Sequence, residues 1–140
     1  MNRESGTGKY ERLLERCRDV PAIPMAVAYP CEESALAGAL EAGRKGLTQP
    51  ILVGPAAKIQ EIARASGLDL GDVPIVDVPD SHGAAARSVA LVREGKAELL
   101  MKGSLHSDEI LAAVVARDIG LRTGRRISHA FIMDLSLIHI

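Results

Sequence analysis

Apolar residues recur along this chain in two rhythms. From Tyr10 they fall at Leu13, Leu14 and Cys17, the i, i+3, i+4, i+7 stripe of a helix, and Pro21 and Pro24 end it. A second rhythm then sets in. Met25–Tyr29 is a short apolar run expected as a strand, followed by an Ala- and Leu-rich helix over Ser34–Lys45. Pro50–Val53 is the next strand, followed by a helix carrying Ile59 and Ile62 that stops at Gly67. Val73–Val78 is a third strand, and Ser81–Glu94 a third crossover helix closed by Gly95. Ala97–Met101 is a fourth strand, Asp108–Asp118 a helix ending near Gly120, and His129–Met133 a fifth strand. Residues 1–9 are polar with two glycines and read as a flexible leader.

Short apolar strands alternating with helices of ten or more residues predict right-handed crossovers in a mainly parallel sheet. The strands are continuous apolar runs rather than alternating ones, as expected where helices cover both faces. The expected fold is therefore three-layer α/β over residues 10–134. In such sheets ligands bind beyond the carboxyl ends of the strands, where helix N-termini present free N–H groups. Four loops qualify: Pro30–Ser34, Gly54–Ala57, Pro79–Gly83 and Lys102–Ser107.

Composition narrows the function classes. Of 140 residues, 47% are hydrophobic and 25% charged, a globular balance with a net charge of -1 that argues against a polyanion partner. Only Tyr10, Tyr29 and Phe131 are aromatic, which speaks against stacking on single-stranded nucleic acid. Cys17 and Cys31 are too few for a disulfide framework, and Cys17 is expected to be a buried thiol. No secretory h-region and no apolar run of about 20 residues is visible, so neither membrane nor export is expected and the chain reads as cytoplasmic.

Lys102-Gly103-Ser104-Leu105-His106-Ser107 carries the richest chemistry. Gly103 permits a sharp exit from the strand and close backbone approach by a ligand. Lys102, Ser104 and His106 set a cation, a hydroxyl and an imidazole around a helix start, which suits a phosphoryl anion. A plain strand–turn–helix connection with Ser107 as N-cap is the alternative, and Asp108 and Glu109 favour it because they would repel an anion. Asp80-Ser81-His82-Gly83 opens another helix, with Ser81 as the expected N-cap and His82 either facing the same cleft as His106 or solvated. Arg87 reaches a cleft anion or forms a surface ion pair. The basic stretch from Arg122 to His129 leads into the fifth strand at the amino edge, away from the cleft. The four histidines (82, 106, 129, 139) have no metal-ligand spacing, and the Walker, GxGxxG and GxSxG patterns are absent.

The segments VDVPDSHGAAARSVALVREGKAELLMKGSLHSDEILAAVV and GLRTGRRISHAFIMD, with PAIPMAVAYPCEESALAGALEAGRKGLTQPILVGP before them, closely resemble the phosphate acetyltransferase/phosphate butyryltransferase family. The chain looks most like the phosphate acetyltransferase portion fused to an enoyl-CoA hydratase domain in bifunctional proteins. The resemblance implies a two-domain architecture like that of isocitrate and isopropylmalate dehydrogenases, with substrate in the cleft and a homodimer as the usual assembly. It implies transfer of an acyl group between phosphate and coenzyme A by direct attack of the CoA thiol, with no metal or cofactor. The family's Ser-Arg pair and Asp lie in a C-terminal half, so no catalytic residue is assigned. Lys102, Gly103, Ser104, His106 and Ser107 are expected to form the phosphate side of the cleft, with His82 and Arg87 as weaker members.

Family members are roughly twice this length. The last six residues, Leu135–Ile140, read as foreign to the gene, so native sequence is expected to end near Asp134 and the fragment to be inactive. Two enzymes of related architecture compete: an NAD-dependent decarboxylating dehydrogenase, whose metal-binding Asp set is not seen, and an acyl-ACP:phosphate acyltransferase, whose Gly-Asn-Thr-Gly loop is Gly-Ser-Leu-His here. A non-catalytic phosphate-binding or assembly fragment is the third alternative.

Overall fold

The computed structural model describes residues 4–116, 118–121, 123 and 124. Two compact units divide the chain: residues 22–123 form one, and residues 1–21 with 124–140 the other. In the second, helix α1 spans Glu4–Cys17. It begins well before the apolar stripe, so residues 4–9 are helical rather than a flexible leader. Once Tyr10–Cys17 has nucleated a helix, each further residue adds a hydrogen bond at low entropic cost, and the glycines are carried along. Cys17 is only half-buried, not enclosed as expected. The expected fifth strand, the tail at 135–140, and the basic stretch from Arg122 apart from Thr123 and Gly124 lie outside the described residues.

The larger unit alternates strand and helix throughout. Its elements are β1 (Ile23–Ala28), α2 (Glu33–Arg44), β2 (Thr48–Gly54), α3 (Ala56–Ser66), β3 (Ile75–Asp77), α4 (Ser81–Arg93), β4 (Leu99–Lys102) and α5 (Ser107–Val115). The four strands are parallel in the order β3-β2-β1-β4. Val27 of β1 lies opposite both Leu52 of β2 and Met101 of β4. The period-two alternation of a strand sends successive β1 side chains to opposite faces. Met25 and Val27 pack with Leu36, Leu40, Leu52 and Ile59 under α2 and α3. Ala26 and Ala28 face the other layer, where their small size lets Ala84 and Ala85 of α4 come close. Leu36, Leu52, Val27 and Ile59 are fully enclosed, and each such side chain contributes about 1.5–3 kcal/mol.

Helix α4 crosses beneath β1 and β2 to reach β4 on the far side of β1. The helices that follow β1 and β4 therefore leave on opposite faces: α2 covers one core cluster, and α5, through Ile110, covers the other. Such a divergence between neighbouring parallel strands is the switch point at which open α/β sheets hold ligands. Among the described residues no helix is long and apolar enough to cross a membrane.

Candidate functional site

The switch point is floored by backbone. A Cβ on Gly103 would lie 2.5 Å from the carbonyl oxygen of Ala28 and closer still to that of Tyr29. The glycine is required because the end of β1 comes that close, a structural demand that stands beside the expected sharp exit from the strand. The Gly103 amide donates to the Ala28 carbonyl at 2.8 Å, and the Ser104 amide to the Tyr29 carbonyl at 2.8 Å. The Ser104 hydroxyl donates to the same Tyr29 carbonyl at 3.0 Å and accepts the Cys31 amide at 3.1 Å. The Cys31 amide also reaches the Tyr29 carbonyl at 2.9 Å, across the fully buried Pro30. Tyr29 stands at φ 58, left-handed backbone that an aromatic residue adopts only when its surroundings hold it there.

Above this floor Lys102 is exposed and folds its ammonium onto the Gly103 carbonyl at 3.1 Å. The cap of α5 is His106 rather than Ser107. Ser107 is the first helical residue, because Glu109 reaches back to accept the His106 amide at 3.1 Å and fixes the helix start one residue early. At the start of α4 the cap is Asp80 rather than Ser81, since the Asp80 carboxylate accepts the Gly83 amide at 2.6 Å. Ser81 is thereby freed to donate its hydroxyl to Glu109 at 2.7 Å. His82 stands with Nε2 at 3.3 Å from the same carboxylate, its side chain 82% exposed. Glu109 is thus held below the usual carboxylate range, first by the Ser81 hydroxyl and the His106 amide, then by the fields of His82 and His106.

The structure accordingly brings Lys102, Gly103, Ser104, His106, Ser107 and His82 to one rim, with both histidines beside Glu109. Arg87 does not join them. Its guanidinium lies 3.6 Å from Glu94 at the far end of α4, so the surface ion pair is what forms. The Tyr29–Cys31 turn, made of the last residue of the expected first strand and the start of the candidate loop Pro30–Ser34, meets this rim from the β1 side, since β1 itself ends at Ala28. Lys58 of α3 sits 5.9 Å from the centre of the Tyr29 ring. Burial pushes the Cys31 thiol up from its ordinary value, against the opposing pull of Lys58 and Tyr29. The rim as a whole brings together an exposed ammonium, two imidazoles and two helix starts, donors of the kind an oxyanion takes, but it sets them around an ionised Glu109 that opposes a second anion.

At the opposite rim a cavity of about 480 Å3 opens between the end of α2 and the chain entering β3, walled by Leu40, Pro50, Leu70 and Val73. Thr48 lines it, and the Thr48 hydroxyl is buried without a partner. This cavity lies away from the strand carboxyl ends and the cations gathered there, and chemistry is the better guide.

No family model matches the chain. It is 57% identical over 128 residues to a phosphate acetyltransferase of Rhizobium meliloti, covering 91% of this chain and 40% of that protein. A phosphate butyryltransferase of Clostridium beijerinckii is 38% identical over 126 residues, covering 90% of this chain and 42% of the relative. The chain thus spans about two fifths of the length of the curated relatives it matches. Among solved structures, a phosphotransacetylase from Streptococcus pyogenes superposes with a TM-score of 0.63 at 15% identity, covering 74% of this chain and 41% of that one. The phosphotransacetylase EutD from Staphylococcus aureus gives 0.60 at 17% identity, covering 77% and 43%. These two likenesses confirm the fold.

Proposed function

Because the chain belongs to the phosphate acetyltransferase/phosphate butyryltransferase family, we propose that it forms part of a phosphate acyltransferase whose carboxyl rim holds the phosphoryl group. The reaction is acyl phosphate plus CoA giving acyl-CoA plus phosphate. The CoA sulfur bonds to the acyl carbon, the acyl C–O bond breaks, the thiol proton passes to a base, and phosphate leaves with its electron pair. Negative charge grows on the departing phosphate, so a cation at that end lowers the barrier. In this reading Lys102 supplies it, supported by His106 and Ser107 at the start of α5 and by His82 across Glu109. The observation that carries the reading is the 57% identity to the Rhizobium meliloti protein through 91% of the chain.

The activity belongs to the whole protein rather than to these 140 residues, with a homodimeric two-domain assembly and a cytoplasmic location as the accompanying proposals. The acyl group is acetyl or butyryl, since relatives of both names match. Thioester formation from CoA and either acetyl phosphate or butyryl phosphate tests this, run on the 140-residue chain and on a chimera carrying the part of the Rhizobium meliloti protein outside the match. Turnover by the chimera and none by the chain is expected. A soluble, folded chimera that makes no acetyl-CoA or butyryl-CoA would count against it.

A further inference from the structure

The Ser104 hydroxyl has one proton, and the geometry leaves no choice about where it goes. The Tyr29 carbonyl at 3.0 Å can only accept, and the Cys31 amide at 3.1 Å can only donate. The hydroxyl therefore gives its proton to the first and offers a lone pair to the second. A phosphoryl oxygen also only accepts, so Ser104 has no proton left for it. The bond to Tyr29 is one of three that converge on that carbonyl, with the amides of Ser104 and Cys31. Together they hold a left-handed tyrosine at the end of the central strand, a conformation that persists only where its neighbours over-determine it.

We infer that Ser104 is a positioning residue rather than a phosphate ligand: its hydroxyl clips the Tyr29–Cys31 turn to the Gly103–His106 loop and so sets the second wall of the crevice. The inference rests on the reading of this rim as the phosphoryl site, and it assigns that wall to a turn joined to Ser104 across more than 70 residues of sequence. An anion is then left to Lys102, His106 and Ser107. Contact from the β1 side comes from the turn only while the clip is closed.

The clip is tested in the 140-residue chain by amide hydrogen exchange and by thiol labelling of Cys31, with Cys17 as internal reference. In the wild type the amides of Cys31 and Ser104 should be protected together. In Ser104→Ala, exchange at Cys31 and labelling of its thiol should quicken by about tenfold, the scale of one lost hydrogen bond, with Cys17 unchanged. Ser104→Thr, which keeps the hydroxyl, should restore the wild-type rates. Inorganic phosphate is the second probe: in Ser104→Ala its perturbation of the Lys102 and Ser107 amides should persist while that at Cys31 disappears. If phosphate binding instead weakens by about tenfold with Cys31 unaffected, Ser104 is a ligand and the inference fails, although the rim keeps its function. If phosphate perturbs no rim amide in any variant, the phosphoryl reading fails, and the labelling result still judges the clip. Should Ser104→Ala not fold, Ser104→Cys, whose thiol is a weaker hydrogen-bond partner, is read by amide exchange alone: a faster Cys31 amide upholds the inference and an unchanged one overturns it.

Discussion

At the amino rim of the sheet, Leu40, Pro50, Leu70 and Val73 wall a cavity of about 480 Å3 whose floor includes a hydroxyl with no partner. At the carboxyl rim the end of β1 is instead tied down by hydrogen bonds from Gly103 and Ser104. Both rims are built by the same β–α–β repeat. They differ because a parallel sheet gathers helix starts, with their free donors, at one end and helix ends at the other. The cavity described here is thus on the rim where helices end rather than begin.

The sharpest way to break this contrast is at the glycines. Gly103→Ala forces a Cβ into the backbone of Ala28 and Tyr29, and should destabilise the fold by about 3 kcal/mol in urea unfolding. Gly71, on the amino side, stands at φ +55 with open space around it, so Gly71→Ala should cost only about 1 kcal/mol, for conformation alone. Equal costs would mean that the β1 exit yields, and that the carboxyl rim is no more tightly built than the amino rim.

Asp80→Ala removes the cap that the Gly83 amide donates to, with an expected loss of about 1 kcal/mol and a frayed start of α4 by amide exchange. Glu109 sharpens the electrostatic half of the comparison. Its carboxyl is held below the usual range in the fold, so the stability it contributes is present above the ordinary glutamate value. That stability is lost as pH falls through the lowered folded value. Glu109→Gln should therefore flatten the acid side of a stability–pH profile and leave its shape near neutrality unchanged; an acid arm as steep as the wild type would show that the carboxylate is not so held. The smallest effect belongs to the amino rim. Thr48→Val discards a buried hydroxyl that bonds to nothing, and should leave stability unchanged or raise it by up to about 1 kcal/mol.

Much of the fold was legible because local pattern and tertiary role coincide. Gly67 ends α3 in the left-handed conformation its identity suggests, and the apolar runs at 25–29 and 50–53 lie within or overlap parallel strands. Errors fell where a side chain chose between adjacent roles. Asp80 displaced Ser81 as a cap because its carboxylate reaches Gly83, and Glu109 moved the start of α5 back to His106. Helix α5 stops at Val115, short of the expected Asp118: Ala116 leaves helical geometry, and the Gly120 and Leu121 amides turn back onto the Ala116 and Val114 carbonyls. The cluster of Lys102, His106 and His82 was legible because the rule of strand carboxyl ends needs no knowledge of strand order. The clip was not. That β4 lies beside β1 is a fact of topology, and no local pattern marks Tyr29 as left-handed or gives Ser104 a partner 75 residues away.

The site assignment itself is tested most directly by titrating inorganic phosphate into the isotope-labelled 140-residue chain and following its backbone amides. Saturable shifts should appear at Lys102–Ser107 and in the Tyr29–Cys31 turn, and weaken in Lys102→Ala. Shifts concentrated instead at Thr48 and residues 70–73, with the carboxyl rim silent, would place the anion at the wrong end of the sheet and contradict the assignment.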